Sequence, residues 1–193
     1  MDIILASTSP HRRRLLERLQ LPFRCLPPQT DETPFPDEAP AALAVRLARA
    51  KAESIARLQP GALIIGSDQV ASIEGSIMGK PGNFNSASAQ LRSSSGREVV
   101  FYTAIALIAP NRDQERFHVE RFCVRFRALS DSQIANYLHR EQPYDCAGSF
   151  KVEGLGIALF ESLIGDDPTS LEGLPLIKLT ELLGEFGVDI LHT

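Results

Sequence analysis

Tryptophan is absent from the 193 residues, and only two methionines and three cysteines are present. Cys25, Cys123 and Cys146 are odd in number, scattered and without a CxxC spacing. That argues against a disulfide framework or a zinc site and fits a reducing, cytoplasmic setting. No apolar run approaches the ~20 residues that span a bilayer. The N-terminus has neither a basic region nor a small-residue cleavage site, so it does not read as a secretory signal. The formal net charge of -4 gives no general attraction to nucleic acid, so any basic cluster must be read locally. Internal repeats and low-complexity tails are also missing. Gly79-Lys80-Pro81 is not a Walker A loop, because the glycine spacing is wrong and proline stands where Ser/Thr would hold magnesium. Gly154 and Gly156 do not complete a GxGxxG fingerprint. No His or Cys sits in a recognisable nucleophile motif, so Ser-His-Asp and Cys-His catalysis lack support.

What is present is an ordinary globular composition, 44% hydrophobic and 23% charged, in a chain long enough to bury a real core. Ile3 to Ala6 reads as a buried strand, and Ser9 as the N-cap of a helix with Pro10 at its first position. Leu15, Leu16 and Leu19 form that helix's apolar stripe, and Leu21-Pro22 ends it. Arg12, Arg13 and Arg14 crowd the first turn, where the helix dipole disfavours cations. Two readings stand: a solvated basic face, or a polyphosphate site built from backbone N–H groups, Ser7, Ser9 and guanidiniums.

The spacing predicts a strand at 23–26 and a proline-rich loop from Pro27 to Pro40 that carries Asp31-Glu32. A helix follows from Ala41 to Leu58, with Leu43, Leu47, Ile55 and Leu58 on its buried stripe. Lys51 falls on that stripe, either snorkelling to the rim or pointing into a cleft, while Arg46, Arg49 and Arg57 serve the solvent side. Ala62 to Gly66 reads as a buried strand ending in Ser67-Asp68-Gln69, the place where open α/β sheets put their ligands. A hairpin tip at 73–77, a helix from Asn85 to Arg92, and strands at 98–108 and 115–127 come next. The parity change from Phe117 and Val119 to Phe122, Val124 and Phe126 predicts a bulge near Glu120-Arg121. Ser130 to Gln133 is a capping box. Ile157 to Phe160 reads as a strand, and a last helix buries Leu176, Leu179 and Leu183. Interleaved strands and helices with one long hairpin indicate an α/β fold with a mixed sheet.

Arg12, Arg13, Lys51 and Lys80 with Glu32 and Asp68 suit phosphate chemistry: cations hold a polyphosphate, and carboxylates bind a divalent metal or take a proton from water.

Ser7-Thr8-Ser9-Pro10-His11-Arg12-Arg13, Asp31-Glu32, Arg46-Leu47-Ala48 with Lys51-Ala52, Gly66-Ser67-Asp68-Gln69, Gly79-Lys80-Pro81 and Gly173-Leu174-Pro175 together resemble the motif series of the Maf family of nucleoside-triphosphate pyrophosphatases. The resemblance covers almost the whole chain in order. It implies a single domain over residues 1–193 with two lobes around a long cleft, a mixed, strongly twisted sheet with flanking helices, and a likeness to inosine-triphosphate pyrophosphatases. The implied reaction is water attack at the α-phosphorus of a nucleotide, releasing a monophosphate and pyrophosphate with Mg²⁺ or Mn²⁺. Asp68 matches the proton acceptor; Ser7, Ser9, Arg12, Arg13, Lys51 and Lys80 match phosphate-side positions; Glu32, with Asp68, matches the metal side.

Ser67-Asp68-Gln69-Val70, Phe101-Tyr102-Thr103 and the stretch Asp145 to Gly154 resemble the branch acting on 7-methyl-GTP, with His11, Gln69 and Glu153 at the specificity positions. An acid such as Glu153 answers the positive charge of an N7-alkylated guanine. His11 stands where that branch is expected to carry tryptophan, a better stacking surface. Two alternatives remain: the dTTP/UTP branch of the same family, and a non-enzymatic regulatory protein of septum formation. The resemblance also suggests a homodimer; nucleic acid and membrane are not expected partners.

Overall fold

A computed structural model describes residues 1–192, with Arg112 described by its backbone alone. The chain forms strands β1 (Ile3–Ala6), β2 (Arg24–Leu26), β3 (Leu63–Ile73), β4 (Ser76–Met78), β5 (Glu98–Ala109), β6 (Gln114–Phe126) and β7 (Phe160–Ile164). Its helices are α1 (Pro10–Glu17), α2 (Pro40–Ala56), α3 (Phe84–Ser94), α4 (Asp131–Glu141) and α5 (Leu176–Glu185). The sheet order is β2-β1-β3-β5-β6-β7, with β4 paired to β3. β1 is parallel to both β2 and β3, whereas β4 and β7 run antiparallel to their neighbours, so the sheet is mixed as expected. Among the described residues no helix is long and apolar enough to cross a membrane.

The chain divides into two compact units. The first holds residues 1–69, 103–120 and 167–193. Its core follows strand parity: Ile3 and Leu5 of β1, Leu63 and Ile65 of β3, and Ile105 and Leu107 of β5 pack with Leu15 and Leu16 of α1 and Leu179 and Leu183 of α5. Residues of the other parity, Ile4 and Ile64, are fully buried toward the opposite face. There α2 lies on the sheet through Leu43, Leu47, Ala48, Ala52 and Ile55. Gly66 makes the close approach possible, since a Cβ at that position would stand 2.1 Å from the Ala48 carbonyl oxygen.

The second unit, residues 70–102 and 121–166, is built around four aromatic rings, Phe101, Phe126, Phe150 and Phe160, in edge-to-face contacts at centroid distances of 4.8–5.8 Å. The expected capping box is formed in full: the Ser130 hydroxyl accepts from the Gln133 N–H, and the Gln133 side chain accepts from the Ser130 N–H. Glu74-Gly75 forms the tip between β3 and β4, both residues with positive φ (49° and 83°).

Several expected boundaries move, each for a local reason. α1 stops at Glu17 rather than at Leu21, because the chain turns through a left-handed Gln20 (φ 55°). α2 stops at Ala56, so Leu58 falls in the following turn and is 70% exposed rather than buried. Phe117 is 60% exposed, because β7 pairs with Cys123 to Phe126 and leaves the first half of β6 as an edge. In the pairing of β6 with β7 a register shift lies between Arg125 and Phe126, and Glu120-Arg121 marks the passage from one unit to the other. Residues 155–159 form a 3-10 turn rather than a strand, since the N–H groups of Gly154 and Gly156 both fold back onto the Lys151 carbonyl. Most consequentially, β3 does not end at Gly66; it runs on to Ile73 and carries Ser67-Asp68-Gln69 within it.

Candidate active site

The extension of β3 decides where its three polar residues point. β1 pairs with β3 as far as Ala6–Gly66, so Ser67, Asp68 and Gln69 emerge just beyond the carboxyl end of the parallel pair. Side chains alternate along a strand. Asp68 shares the parity of Ile64 and Gly66 and therefore meets α2. Ser67 and Gln69 share the parity of Ile65 and meet the segment before α5.

On the α2 side, the Lys51 Nζ lies 2.6 Å from Asp68 Oδ1 and 2.6 Å from Glu32 Oε1. The Lys51 and Asp68 side chains are 8% and 10% exposed, so this ion pair is withdrawn from water, whereas Glu32 keeps 54% of its surface. The lysine thus does not snorkel: it is the inner-face cation that two carboxylates neutralise. Removing two charges from water is costly, so such an arrangement is weak evidence for stability. Both carboxylates bring hard oxygen donors to one point already held by a cation, a donor set that suits Mg²⁺ or Mn²⁺. No group of three or more His, Cys, Asp or Glu residues assembles a metal cage among the described residues.

Glu32 rides on the proline-rich loop, and that loop is clamped by a residue the sequence placed on the solvent side. Arg46 of α2 donates through Nε and Nη2 to both oxygens of Glu38 (2.7 and 2.8 Å), and through Nη2 to the Thr33 carbonyl (3.0 Å). Its guanidinium also stacks 4.0 Å from the centre of the Phe35 ring. The bidentate guanidinium holds the Glu38 carboxyl down at about 2.

On the other side, a polar strap precedes α5. Gln69 Nε2 lies 3.0, 2.8 and 3.1 Å from Thr103 Oγ1, the Ser170 carbonyl and the Leu171 carbonyl, three acceptors sharing its two N–H groups. Ser67 Oγ and Arg12 Nε both donate to the Gly173 carbonyl, at 3.0 and 2.9 Å. Asp167, 2% exposed, accepts from Thr169 N and Oγ1 and from the Ile177 N–H, which ties the strap to the start of α5. Burial pushes the Arg12 guanidinium below its ordinary value, and the nearby charges of Asp68 and Glu32 oppose that shift. Arg12 therefore belongs to the same electrostatic neighbourhood as the Lys51 cluster.

The remaining residues of the first motif divide by contact. Ser9 caps α1 by accepting from the Arg12 N–H, and Ser7 Oγ accepts from the Ser9 N–H. Arg13 is exposed and pairs with Glu17 one turn on (3.0 Å). Arg14 Nη2 lies 3.0 Å from His11 Nδ1. Lys80 and Glu153 lie in the second unit, both exposed. The Lys80 turn is fixed by Gln90 Nε2 donating to the Gly79 carbonyl and the Gly82 N–H donating to the Tyr144 carbonyl. Residues 152–154 form a turn, so Lys151 and Glu153 do not line one side of an extended segment.

The family profile described as "Maf-like protein" matches residues 2–186. A protein of Colwellia psychrerythraea named 7-methyl-GTP pyrophosphatase is 53% identical over 189 residues, covering 98% of this chain and 94% of its own. A protein of Bordetella avium with the same name is 54% identical over 191 residues, covering 99% and 96%. Among solved structures, a HAM1 protein from Coxiella burnetii superimposes with a TM-score of 0.53 over 96% of this chain and 99% of that one, at 18% identity, a likeness of fold alone. The chain is a member of the Maf family, and as such a nucleotide pyrophosphatase with an open, mixed α/β sheet.

Proposed function

We propose that this protein hydrolyses 7-methyl-GTP to 7-methyl-GMP and pyrophosphate. The observation that carries the reading is the buried Lys51–Asp68 pair, with Glu32, at the carboxyl end of the parallel strands. The names of the full-length relatives support the substrate.

In this reading water attacks the α-phosphorus. An O–P bond forms, the bond to the bridging oxygen of the β-phosphate breaks, and pyrophosphate leaves with the electron pair. Asp68 takes the proton of the attacking water. Lys51 holds Asp68 Oδ1, so Oδ2 is the oxygen that receives it. An ammonium has a third N–H beyond those given to Glu32 and Asp68, and this one grips a phosphate oxygen. Arg12 and Arg13 stabilise the charge that grows on the leaving pyrophosphate, which lowers the barrier more than it tightens ground-state binding. Arg13 reaches this role by leaving an exposed pair with Glu17, a contact of small worth. Glu32 and Asp68 would hold a Mg²⁺ or Mn²⁺ ion, whose chemistry is neutralisation of phosphate charge, with the rest of its shell from phosphate and water. The roles of Ser7, Ser9, Lys80 and the specificity residues His11, Gln69 and Glu153 rest on the family resemblance.

The test is steady-state hydrolysis of 7-methyl-GTP against dTTP and UTP, with Asp68→Asn as control. A clear preference for 7-methyl-GTP, abolished in the variant, is expected. Preference for dTTP moves the protein to the pyrimidine branch, and activity unchanged in Asp68→Asn removes Asp68 from the reaction.

A further inference from the structure

We propose that the Gly173 carbonyl is the orienting acceptor for Arg12, and that Ser67 is a positioning residue acting through that carbonyl. The inference rests on the reading of Arg12 as a phosphate-binding residue and adds to it the device that aims the guanidinium.

Ser67 is fully buried. A hydroxyl in that position costs free energy unless it is hydrogen-bonded, and alanine would fill almost the same space without that demand. Its partner is the Gly173 carbonyl, 3.0 Å away, whose second donor is Arg12 Nε at 2.9 Å. One oxygen therefore links strand β3 to the first turn of α1.

The direction of this carbonyl is set from several sides. Gly173 has φ 110° and ψ 7°, a conformation that side-chain-bearing residues rarely adopt. A Cβ there would meet Arg12 Nε and Cγ at 3.6 and 3.7 Å, ordinary contact distances. Glycine is required for the path of the backbone and not for room. The Gly173 N–H returns to the Ser170 carbonyl, Gln69 holds the Ser170 and Leu171 carbonyls, and the Leu174 N–H donates to the Thr169 carbonyl. A carbonyl so constrained fixes the plane of any guanidinium that donates to it through Nε.

Arginine is long and rich in rotamers, and holding Nε leaves the Nη–H donors as a pre-aimed fork for a phosphate. The ordering cost is then met during folding instead of during binding. This accounts for two features at once: a serine before Asp68 in a buried strand, and a glycine opening Gly173-Leu174-Pro175.

The experiment is a double-mutant cycle of Ser67→Ala and Arg12→Lys, reading KM and kcat for 7-methyl-GTP together with thermal midpoints. Lysine at position 12 keeps the charge and loses the Nε–H fork. Ser67→Ala is expected to lower kcat/KM about 3- to 10-fold in the Arg12 background, chiefly through kcat, in line with a hydrogen bond acting through a charged group. It is expected to leave kcat/KM unchanged when position 12 is lysine, while lowering the thermal midpoint equally in both. Should Ser67→Ala not fold, Ser67→Cys, which keeps the volume and weakens the donor, takes its place in the cycle. Equal kcat/KM factors in both backgrounds would make Ser67 a structural staple and overturn the inference alone. Kinetics unchanged in Arg12→Lys would overturn the phosphate role of Arg12 and the inference with it.

Discussion

The Lys51 ammonium and the Asp68 carboxylate face each other at 2.6 Å with both side chains withdrawn from water. α2 supplies one and β3 the other, and the pair meets only because the helix lies directly on the strand. Replacing Lys51 by methionine keeps the volume of the stem but leaves Asp68 buried beside Glu32 without its cation. Breaking a buried pair from one side costs about 3–5 kcal/mol. Urea unfolding of Lys51→Met should show a loss of that size, and a loss below 1 kcal/mol would mean that water already screens the pair.

Gly66 sets the distance between those elements. An added methyl would stand 2.1 Å from the Ala48 carbonyl oxygen and 2.9 Å from Ala52 Cβ, with backbone on one side and no flexible tip to give way. Gly66→Ala should force α2 off the sheet, destabilise by at least the ~1–3 kcal/mol of an overpacked core, and separate Lys51 from Asp68. Chemical denaturation and hydrolysis assays check the two effects, and native stability with native activity would refute the packing argument.

Arg46 and Glu38 tie down the loop that carries Glu32. The folded-state Glu38 carboxyl is held at about 2 against an ordinary 4.5. A depressed carboxyl contributes stability above its unfolded value and loses it as pH falls toward the folded one. The urea midpoint of the native protein should therefore fall between pH 4.5 and 2 by more than that of Glu38→Gln. Parallel decline of the two curves would show that the clamp carries no pH-dependent stability.

Gln69 was expected to read the base. Its amide nitrogen is engaged with Thr103, Ser170 and Leu171. Gln69→Leu should strand the Leu171 carbonyl, while the Ser170 carbonyl keeps the Thr103 hydroxyl and the Gly173 N–H, at a cost of about 1–3 kcal/mol. Thermal or urea unfolding measures it. A change in substrate preference with no loss of stability would restore a pure recognition role.

These residues also show what sequence can and cannot disclose. Capping at Ser9 and Ser130, the inner-face position of Lys51 and the mixed sheet were legible because each rests on local chemistry or on periodicity over a few turns. The length of β3 was not, because polar residues after an apolar run look like a strand end, whereas Ser67, Asp68 and Gln69 are polar for their partners on opposite faces. Arg46 looked like a surface cation because its partners, Thr33, Phe35 and Glu38, lie in a loop with no period to read. Gly66 and Gly173 were visible as motif letters, but their tasks, a helix contact and an aimed carbonyl, exist only in three dimensions. Lys80 was singled out from its place in the Gly79-Lys80-Pro81 turn, whereas Glu153 entered as a site residue through family resemblance alone.

Attack at the α-phosphorus by water is the central claim, and isotope placement reads it directly. Hydrolysis of 7-methyl-GTP in ¹⁸O-enriched water, followed by mass spectrometry of the products, should give labelled 7-methyl-GMP and unlabelled pyrophosphate. Label in pyrophosphate, or release of orthophosphate in place of pyrophosphate, would contradict it.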